Sequence, residues 1–249
     1  MPKDLVVLVT GSSRGIGAAL VAGFARAGHR VVVNYAHVAA EAAALAASLA
    51  ADVGDRVMCV KADVARRAEV RAMFDAVVER FGRVDALVNN AGLNRDGPFL
   101  GMSDDDWDRV IATNLTGVFL CAQEFARRFA GAVGHIINVS ASTAIQGRRN
   151  GANYCSAKAG VLALTKCLAL ELAPTIRVNC LVPGRINTAE VMERFNLHDP
   201  ATYEAAIKAI PAGRLGTPED VVRVARFLVE ESDYITGQNF FVNGGNFMG

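Results

Sequence analysis

Two short stretches of the chain carry residues whose types and spacing could do chemistry. Residues 7–17 read VLVTGSSRGIG, and the spacing fits two devices. Gly11-Ser12-Ser13-Arg14-Gly15 matches the turn that exposes a nucleophilic serine, whereas Gly11, Gly15 and Gly17 match a glycine-rich turn whose backbone N–H groups cradle a phosphate. Further along, Tyr154 precedes Lys158 by four positions, which on a helix is one turn and one face. A phenol with a pKa near ~10 moves protons poorly at neutral pH, and an ammonium beside it stabilises the phenolate. The pair reads as a proton-moving device, against the plainer alternative of a boundary pair on a helix.

The elements that must position these residues alternate between strand and helix. Apolar or β-rich runs at 5–9, 30–34, 56–61, 86–89, 135–139, 176–181 and 239–242 read as strands. Helical periodicity covers 15–27, ending at Gly28, then 38–53, 66–81, 154–172 and 218–230, and Ser103 is placed to cap a long helix through Trp107 toward Phe129. Residues 185–216 are less regular. This alternation predicts an α/β fold: a single-domain, Rossmann-like, doubly wound, seven-stranded parallel sheet with helices on both faces, spanning 1–249. Segment 185–216 would cover the crevice at the strands' carboxyl ends.

Composition narrows the partners. The chain has 26 basic and 25 acidic residues, a formal net charge of +1, and 52% hydrophobic residues. That balance leaves no electrostatic footprint for nucleic acid or an anionic membrane, and a small-molecule partner is expected. Cys59, Cys121, Cys155, Cys167 and Cys180 are odd in number and scattered, which argues against a disulfide framework and for a reducing cytoplasm. His29, His37, His135 and His198 have no ligand-like spacing, so no metal is expected, and each reads as a surface or strand-edge residue. No leader peptide or membrane-spanning run is recognised.

Context decides between the two devices at 7–17. A nucleophile elbow needs an oxyanion loop from an earlier strand, and this motif follows the first strand. His198 comes late enough to complete a triad, yet nothing fixes it in such a role. The phosphate reading accounts for more residues: Gly11 permits the tight turn, Gly15 and Gly17 permit close approach, and the helix start presents unpaired N–H groups to a pyrophosphate. Ser12 and Ser13 then serve as hydrogen-bond donors.

TGSSRGIG at 10–17, NNAG at 89–92, Asn114 in TNLTGVF, YCSAK at 154–158, PGRINT at 183–188 and TGQNFFVNGG at 236–245 stand in the order found in the short-chain dehydrogenase/reductases. The chain resembles that family over nearly its whole length. NNAGLNRDGPF followed by DDDWDRVIATNLTGVF is most similar to its β-ketoacyl-acyl carrier protein reductase branch.

The resemblance implies a nicotinamide cofactor. The second strand ends in Asn34-Tyr35-Ala36-His37, with no acid to hold the ribose hydroxyls of NAD, while Arg14 could set a guanidinium against a 2′-phosphate. NADP(H) is therefore expected. Gly11, Ser13, Arg14, Gly15, Ile16, Gly17, Asn34 and Tyr35 would hold its phosphate and adenosine end. By resemblance, Asp63 and Val64 serve the adenine, and Asn90, Ala91 and Gly92 the ribose and backbone path. Pro183, Gly184, Ile186 and Thr188 serve the nicotinamide and phosphate side. Asp63 has a plainer role open to it, capping the helix that follows. The resemblance makes Tyr154 the proton donor, Lys158 the ribose binder and pKa modifier, and Asn114 the anchor of a water linking the lysine to solvent; as a plain residue Asn114 would satisfy a helix kink.

One position breaks the pattern. The family's serine that holds the substrate carbonyl falls at Ala141 in IINVSAS, and a methyl cannot donate to a developing oxyanion. Three readings stand open. Ser142 or Ser140 supplies the hydroxyl through a shifted loop, the alanine is a substitution that traps a complex, or the protein is a noncatalytic NADP(H)-binding regulator. The leading expectation is an NADPH-dependent ketoreductase for a 3-oxoacyl thioester, with a small ketone, sugar or polyol as the alternative substrate. Val191, Met192, Phe195, Leu197, Tyr203, Ile207 and Ile210 either line an acyl-binding lid or pack two short helices on the domain. Arg148 and Arg149, on the loop between the fifth strand and the Tyr154 helix, could meet an anionic substrate or carrier, and Arg127 and Arg128 offset a helix dipole; a solvated role is the default for all four. Ala173-Pro174-Thr175 offers no basic residue for carrier docking. The family resemblance implies a homotetramer.

Overall fold

The computed structural model describes residues 4–248. Its sheet has seven parallel strands: β1 (Val6–Val9), β2 (Arg30–Tyr35), β3 (Val57–Lys61), β4 (Ala86–Asn89), β5 (Gly134–Val139), β6 (Ile176–Pro183) and β7 (Asn239–Val242), in the order β3-β2-β1-β4-β5-β6-β7. Helices α1 (Gly15–Arg26), α2 (Ala39–Val53) and α3 (Arg67–Phe81) make the first crossovers. In β1, alternate residues face opposite ways: Val7 and Val9 join a core with Phe24 of α1, and Val6 and Leu8 join one with Phe74 of α3. Burial on both faces explains why the strands read as continuous apolar runs. The strand order reverses between β1 and β4, so a crevice opens beyond the carboxyl ends of these two strands.

The helix expected from Ser103 to Phe129 is interrupted. Ser103 does cap α4 (Asp104–Ile111), its Oγ accepting the Asp106 N–H at 3.1 Å. A wide π-type turn at Ala112–Thr116 then precedes α5 (Gly117–Arg128). Such turns insert an extra residue into the helix and are frequent at functional sites; here the turn carries the fully buried Asn114.

After β5 comes a short helix, α6 (Thr143–Gln146), and then α7 (Ala152–Leu172), which places Tyr154 in the first turn of α7. The segment expected to be irregular holds α8 (Ala189–Arg194) and α9 (Pro200–Lys208), capped by Thr188 and Asp199. Leu197, Ala206, Ile210 and Leu215 form their own buried cluster, with Val191, Met192, Phe195, Tyr203 and Ile207 packed on it. The apolar residues of this segment thus pack two short helices together. Helix α10 (Pro218–Glu230) starts with a capping box between Thr217 and Asp220.

Two histidines depart from the surface reading. His29 is buried against the Phe24 ring, its Nε2 3.3 Å from Glu230 Oε1. His135 is buried in β5. A histidine that follows a glycine at the start of a strand gives no sign in sequence that a distant helix, α10, will cover it. Among the described residues no helix is long and apolar enough to cross a membrane, and no group of three or more His, Cys, Asp or Glu gathers as metal ligands would.

Candidate active site

The turn after β1 is built to present backbone. Gly11 and Gly15 both have φ of +58°, a left-handed conformation that favours glycine. A Cβ on Gly11 would lie 2.7 Å from the Ala91 Cα, and one on Gly17 would lie 2.5 Å from the Gly11 carbonyl oxygen, so the turn closes only with glycine at these positions. No side chain caps α1 and no acidic residue occupies its first turn, leaving that positive helix end available to an anion. Arg14 is exposed there, Ser13 and Ile16 are half-buried in the same turn, and a Cβ on Gly15 would meet the Thr188 methyl at 3.7 Å. The structure therefore brings the glycine turn and the segment after β6 to one crevice.

Ser12 is no nucleophile. It is fully buried, its Oγ donates to the Val9 carbonyl at 2.8 Å, and the same oxygen accepts the Asn34 N–H at 3.0 Å. Asn34, expected at the cofactor, is also buried. Its Oδ1 accepts the Gly11 N–H at 3.0 Å and its Nδ2 donates to the Ala62 carbonyl at 3.1 Å. Asn34 thus shapes the turn from behind, while Tyr35 is half-buried at the strand end. Thr10 bears no mark of its role in the sequence. Its Oγ1 accepts the N–H groups of both Asn90 and Ala91 at 3.1 Å, and Asn90 Nδ2 donates to the carbonyls of Thr10 and Gly11, locking the β1 and β4 loops together.

Asp63 does not cap α3, which starts after Arg66 with no side-chain cap; its Oδ1 accepts the Ala65 N–H at 2.9 Å, closing a turn ahead of the helix, and its other oxygen faces Arg66. Val64 is buried where Gly117 approaches. Ile186 is buried and bridges to Gly216, and Pro183 and Gly184 continue β6 into this corner, where the Gly184 N–H donates to the Val242 carbonyl at 3.0 Å.

Tyr154 and Lys158 lie on one face of α7, the ammonium 5.8 Å from the phenol ring centre. Lys158 is buried and donates to the Val139 carbonyl at 2.8 Å. Burial pulls its pKa down to about 8, with the neighbouring Cys180 opposing the shift. Burial pushes the Tyr154 phenol up to about 12, with the Arg148 guanidinium opposing most strongly. A Cβ on Gly92 would be 3.5 Å from Asn114 Oδ1 and 3.9 Å from Lys158 Nζ, so glycine leaves room for these two polar groups to converge. Asn114 grips Leu93 with both ends of its amide, each at 2.7 Å.

Strand β5 ends at Val139, so the chain is free to turn before Ala141. Both neighbouring serines are nevertheless occupied: Ser140 donates to the Lys158 carbonyl at 2.8 Å and Ser142 to the Pro183 carbonyl at 3.3 Å. The Ser142 bond is the longer one and the easier to exchange. The half-exposed residue between them is Ala141, while the Thr143 hydroxyl is buried without a hydrogen-bond partner. Three of the arginines expected in solvent are committed. Arg127 and Arg128 close on the buried Glu124, Arg128 also pairs with Asp75, and Arg148 pairs with Asp96. Arg127 and Arg149 are exposed, and of the four only Arg149 is left without such a partner among the described ion pairs. Single basic side chains carry no mark in sequence of the acid that will meet them from another element.

A doubly wound parallel sheet with a phosphate-ready glycine turn, and a phenol and ammonium meeting at its switch-point crevice, defines an oxidoreductase of the dinucleotide-binding class. The chain belongs to the short-chain dehydrogenase/reductase family and falls with its β-ketoacyl-acyl carrier protein reductase branch. The family model described as enoyl-(acyl carrier protein) reductase matches residues 11–246. A 3-oxoacyl-[acyl-carrier-protein] reductase of Synechocystis is 42% identical over 98% of this chain and 97% of its own length. A 3beta-hydroxysteroid dehydrogenase 1 of Eggerthella lenta is 41% identical over 98% and 94%. Among solved structures, a short-chain dehydrogenase/reductase of the glucose/ribitol dehydrogenase type from Brucella melitensis superposes with a TM-score of 0.92 at 30% identity, over 99% and 98% of the two chains.

Proposed function

We propose that the protein is an NADPH-dependent ketoreductase acting on a 3-oxoacyl thioester. The carrying observation is the placement of Lys158 and Tyr154 beside the crevice that the Gly11–Gly17 turn opens. The glycine turn and the uncapped start of α1 fit a pyrophosphate, and exposed Arg14, with no acid at the end of β2, fits a 2′-phosphate. NADPH supplies the hydride when bound. Tyr154 Oη donates the proton to the carbonyl oxygen as it becomes an alkoxide. Lys158 holds positive charge beneath the phenol, and its lowered pKa lets it pass a proton back at near-neutral pH. The Thr10, Asn34 and Asn90 hydrogen bonds keep the cradle rigid. Segment 185–216 covers the crevice, with the α8–α9 cluster holding its shape.

The steroid dehydrogenase relative supports a second reading, a reductase for a small or cyclic ketone, because its 41% identity to this chain is close to the 42% of the 3-oxoacyl-[acyl-carrier-protein] reductase. Ala141 supports a third, a regulator that binds NADP(H) without efficient turnover. NADPH oxidation measured against acetoacetyl thioesters, ketones and sugars separates the three. The leading reading predicts turnover with the thioesters and a severe loss in Tyr154→Phe with NADPH binding intact. Near-normal turnover in Tyr154→Phe refutes the mechanism, and silence on every substrate by a protein that binds NADPH promotes the regulator. The odd number and scatter of the cysteines, none of them paired, fit a reducing cytoplasm. Half-exposed Trp107 on α4 and Phe119 on α5, with Leu170 standing out on α7, suit burial in a homotetramer.

A further inference from the structure

We propose that Arg148 is a positioning residue for Tyr154: its guanidinium lies against the phenol ring, anchored from other loops, and supports the phenolate in a chain whose position 141 offers no hydroxyl. This rests on Tyr154 being the group that moves the proton.

The geometry is specific. Arg148 Cζ lies 4.7 Å from the Tyr154 ring centre, within the range of a cation–π contact. Its side chain is only 16% exposed although it stands on the loop between α6 and α7. A Cβ on Gly151 would sit 2.5 Å from Arg148 Nε and 2.7 Å from its Cγ, so the arginine stem lies in room that the glycine leaves. The loop after β4 holds the guanidinium: Nη2 donates to Asn94 Oδ1 at 3.0 Å and to Asp96 Oδ1 at 2.6 Å. Helix α8 closes the set. Arg194 faces Asp96 at 3.7 Å and pairs with Glu190 at 2.6 Å, while Asn94 Nδ2 donates to Glu190 Oε1 at 3.1 Å. A polar clasp thus joins the β4 loop, the α6–α7 loop and α8 around the phenol.

The charged and titratable groups facing the phenol can be named from each element. Arg148 and Arg194 favour the phenolate; Glu190 from α8 and Cys155 from α7 oppose it. Lys158 stands on the same helix face. Tyr154 also sits in the first turn of α7, where the helix dipole favours negative charge. Of the two guanidinium groups, Arg148 is the one in contact with the Tyr154 ring, and Asp96 holds it there. Removing it leaves the ionised phenol with less compensation, and Arg148→Lys restores charge without the planar stack.

The test titrates the phenol in the folded protein. Tyrosine is replaced by 3-fluorotyrosine, which brings ionisation into a range the fold tolerates, and the Tyr154 fluorine signal is assigned by its loss in Tyr154→Phe. In Arg148→Gln the titration midpoint should rise by roughly one pH unit, and in Arg148→Lys by less than half of that. The rising limb of alcohol oxidation against pH should move in step. An unmoved midpoint in Arg148→Gln, or turnover lost equally at every pH with lysine no better than glutamine, overturns the proposal. A midpoint that rises in a protein with no turnover on any substrate sustains the arginine's role and overturns the proposed activity instead.

Discussion

Position 141 is a half-exposed alanine between two serines whose hydroxyls already serve the Lys158 and Pro183 carbonyls. If the site works as a reductase with one donor missing, Ala141→Ser should raise kcat at least tenfold with the NADPH Kd unchanged, measured by stopped-flow turnover and fluorescence binding; one oxyanion donor commonly contributes about 10²–10³ in rate. No rise would mean that Ser142 or Thr143 re-aims its hydroxyl when substrate binds. Arg14 supports a second prediction. Loss of a guanidinium from a phosphate costs about 1.5–3 kcal/mol, so Arg14→Ala should weaken NADPH roughly ten- to a hundredfold and leave NADH almost untouched in calorimetric titrations. Equal losses for both nucleotides would remove Arg14 from the 2′-phosphate. Residue type alone made Tyr154, Lys158 and Arg14 visible, because each has an uncommon chemical capacity at a meaningful spacing. Thr10 and Asn34 were harder to read, since their work is done through backbone groups of other strands.

At the level of elements, the cradle depends on how strands and loops are tied. Asn34 joins the β1 turn to the end of β3 through Gly11 and Ala62. Asn34→Ala would leave those backbone groups without their partner, at about 1–3 kcal/mol for each that stays buried. NADPH affinity should fall about tenfold and thermal stability should fall with it, by calorimetry and thermal melts, although the side chain is buried away from the crevice. The start of α10 gives a control without a cofactor contact. Thr217→Ala removes a cap worth about 1 kcal/mol and should lower the unfolding free energy while leaving NADPH affinity unchanged. The π-type turn at Ala112–Thr116 was not legible, because helix periodicity continues through it with apolar residues on both sides. Its cause is tertiary: Asn114 turns inward to hold Leu93 on the β4 loop.

Across the whole molecule, acid stability should report the buried histidine. Burial, aided by Arg177, lowers the His135 pKa to about 4. Its folded pKa therefore lies below the unfolded value near ~6.5, so the folded state takes up its proton later than the unfolded state. The neutral form's contribution is complete above the unfolded pKa and is lost as pH falls toward the folded one. Urea unfolding at pH 7.5 and at pH 5 should differ by about 2 kcal/mol from this group, and His135→Gln should reduce that difference. An unchanged difference would mean that His135 has the same pKa folded and unfolded. The sequence by itself determined the sheet and its two helix layers, because strand-length apolar runs alternating with helix-length periodic ones can bury their surface only by parallel winding. It also determined the glycine turn, whose φ of +58° at Gly11 and Gly15 glycine alone adopts without cost. The tertiary structure alone decided which polar groups meet: His135 under α10, Asn34 behind the cradle, and Arg148 on Tyr154 with Asp96 as its anchor. Those partners come from separate elements, and their encounter depends on packing that no local pattern of residues encodes.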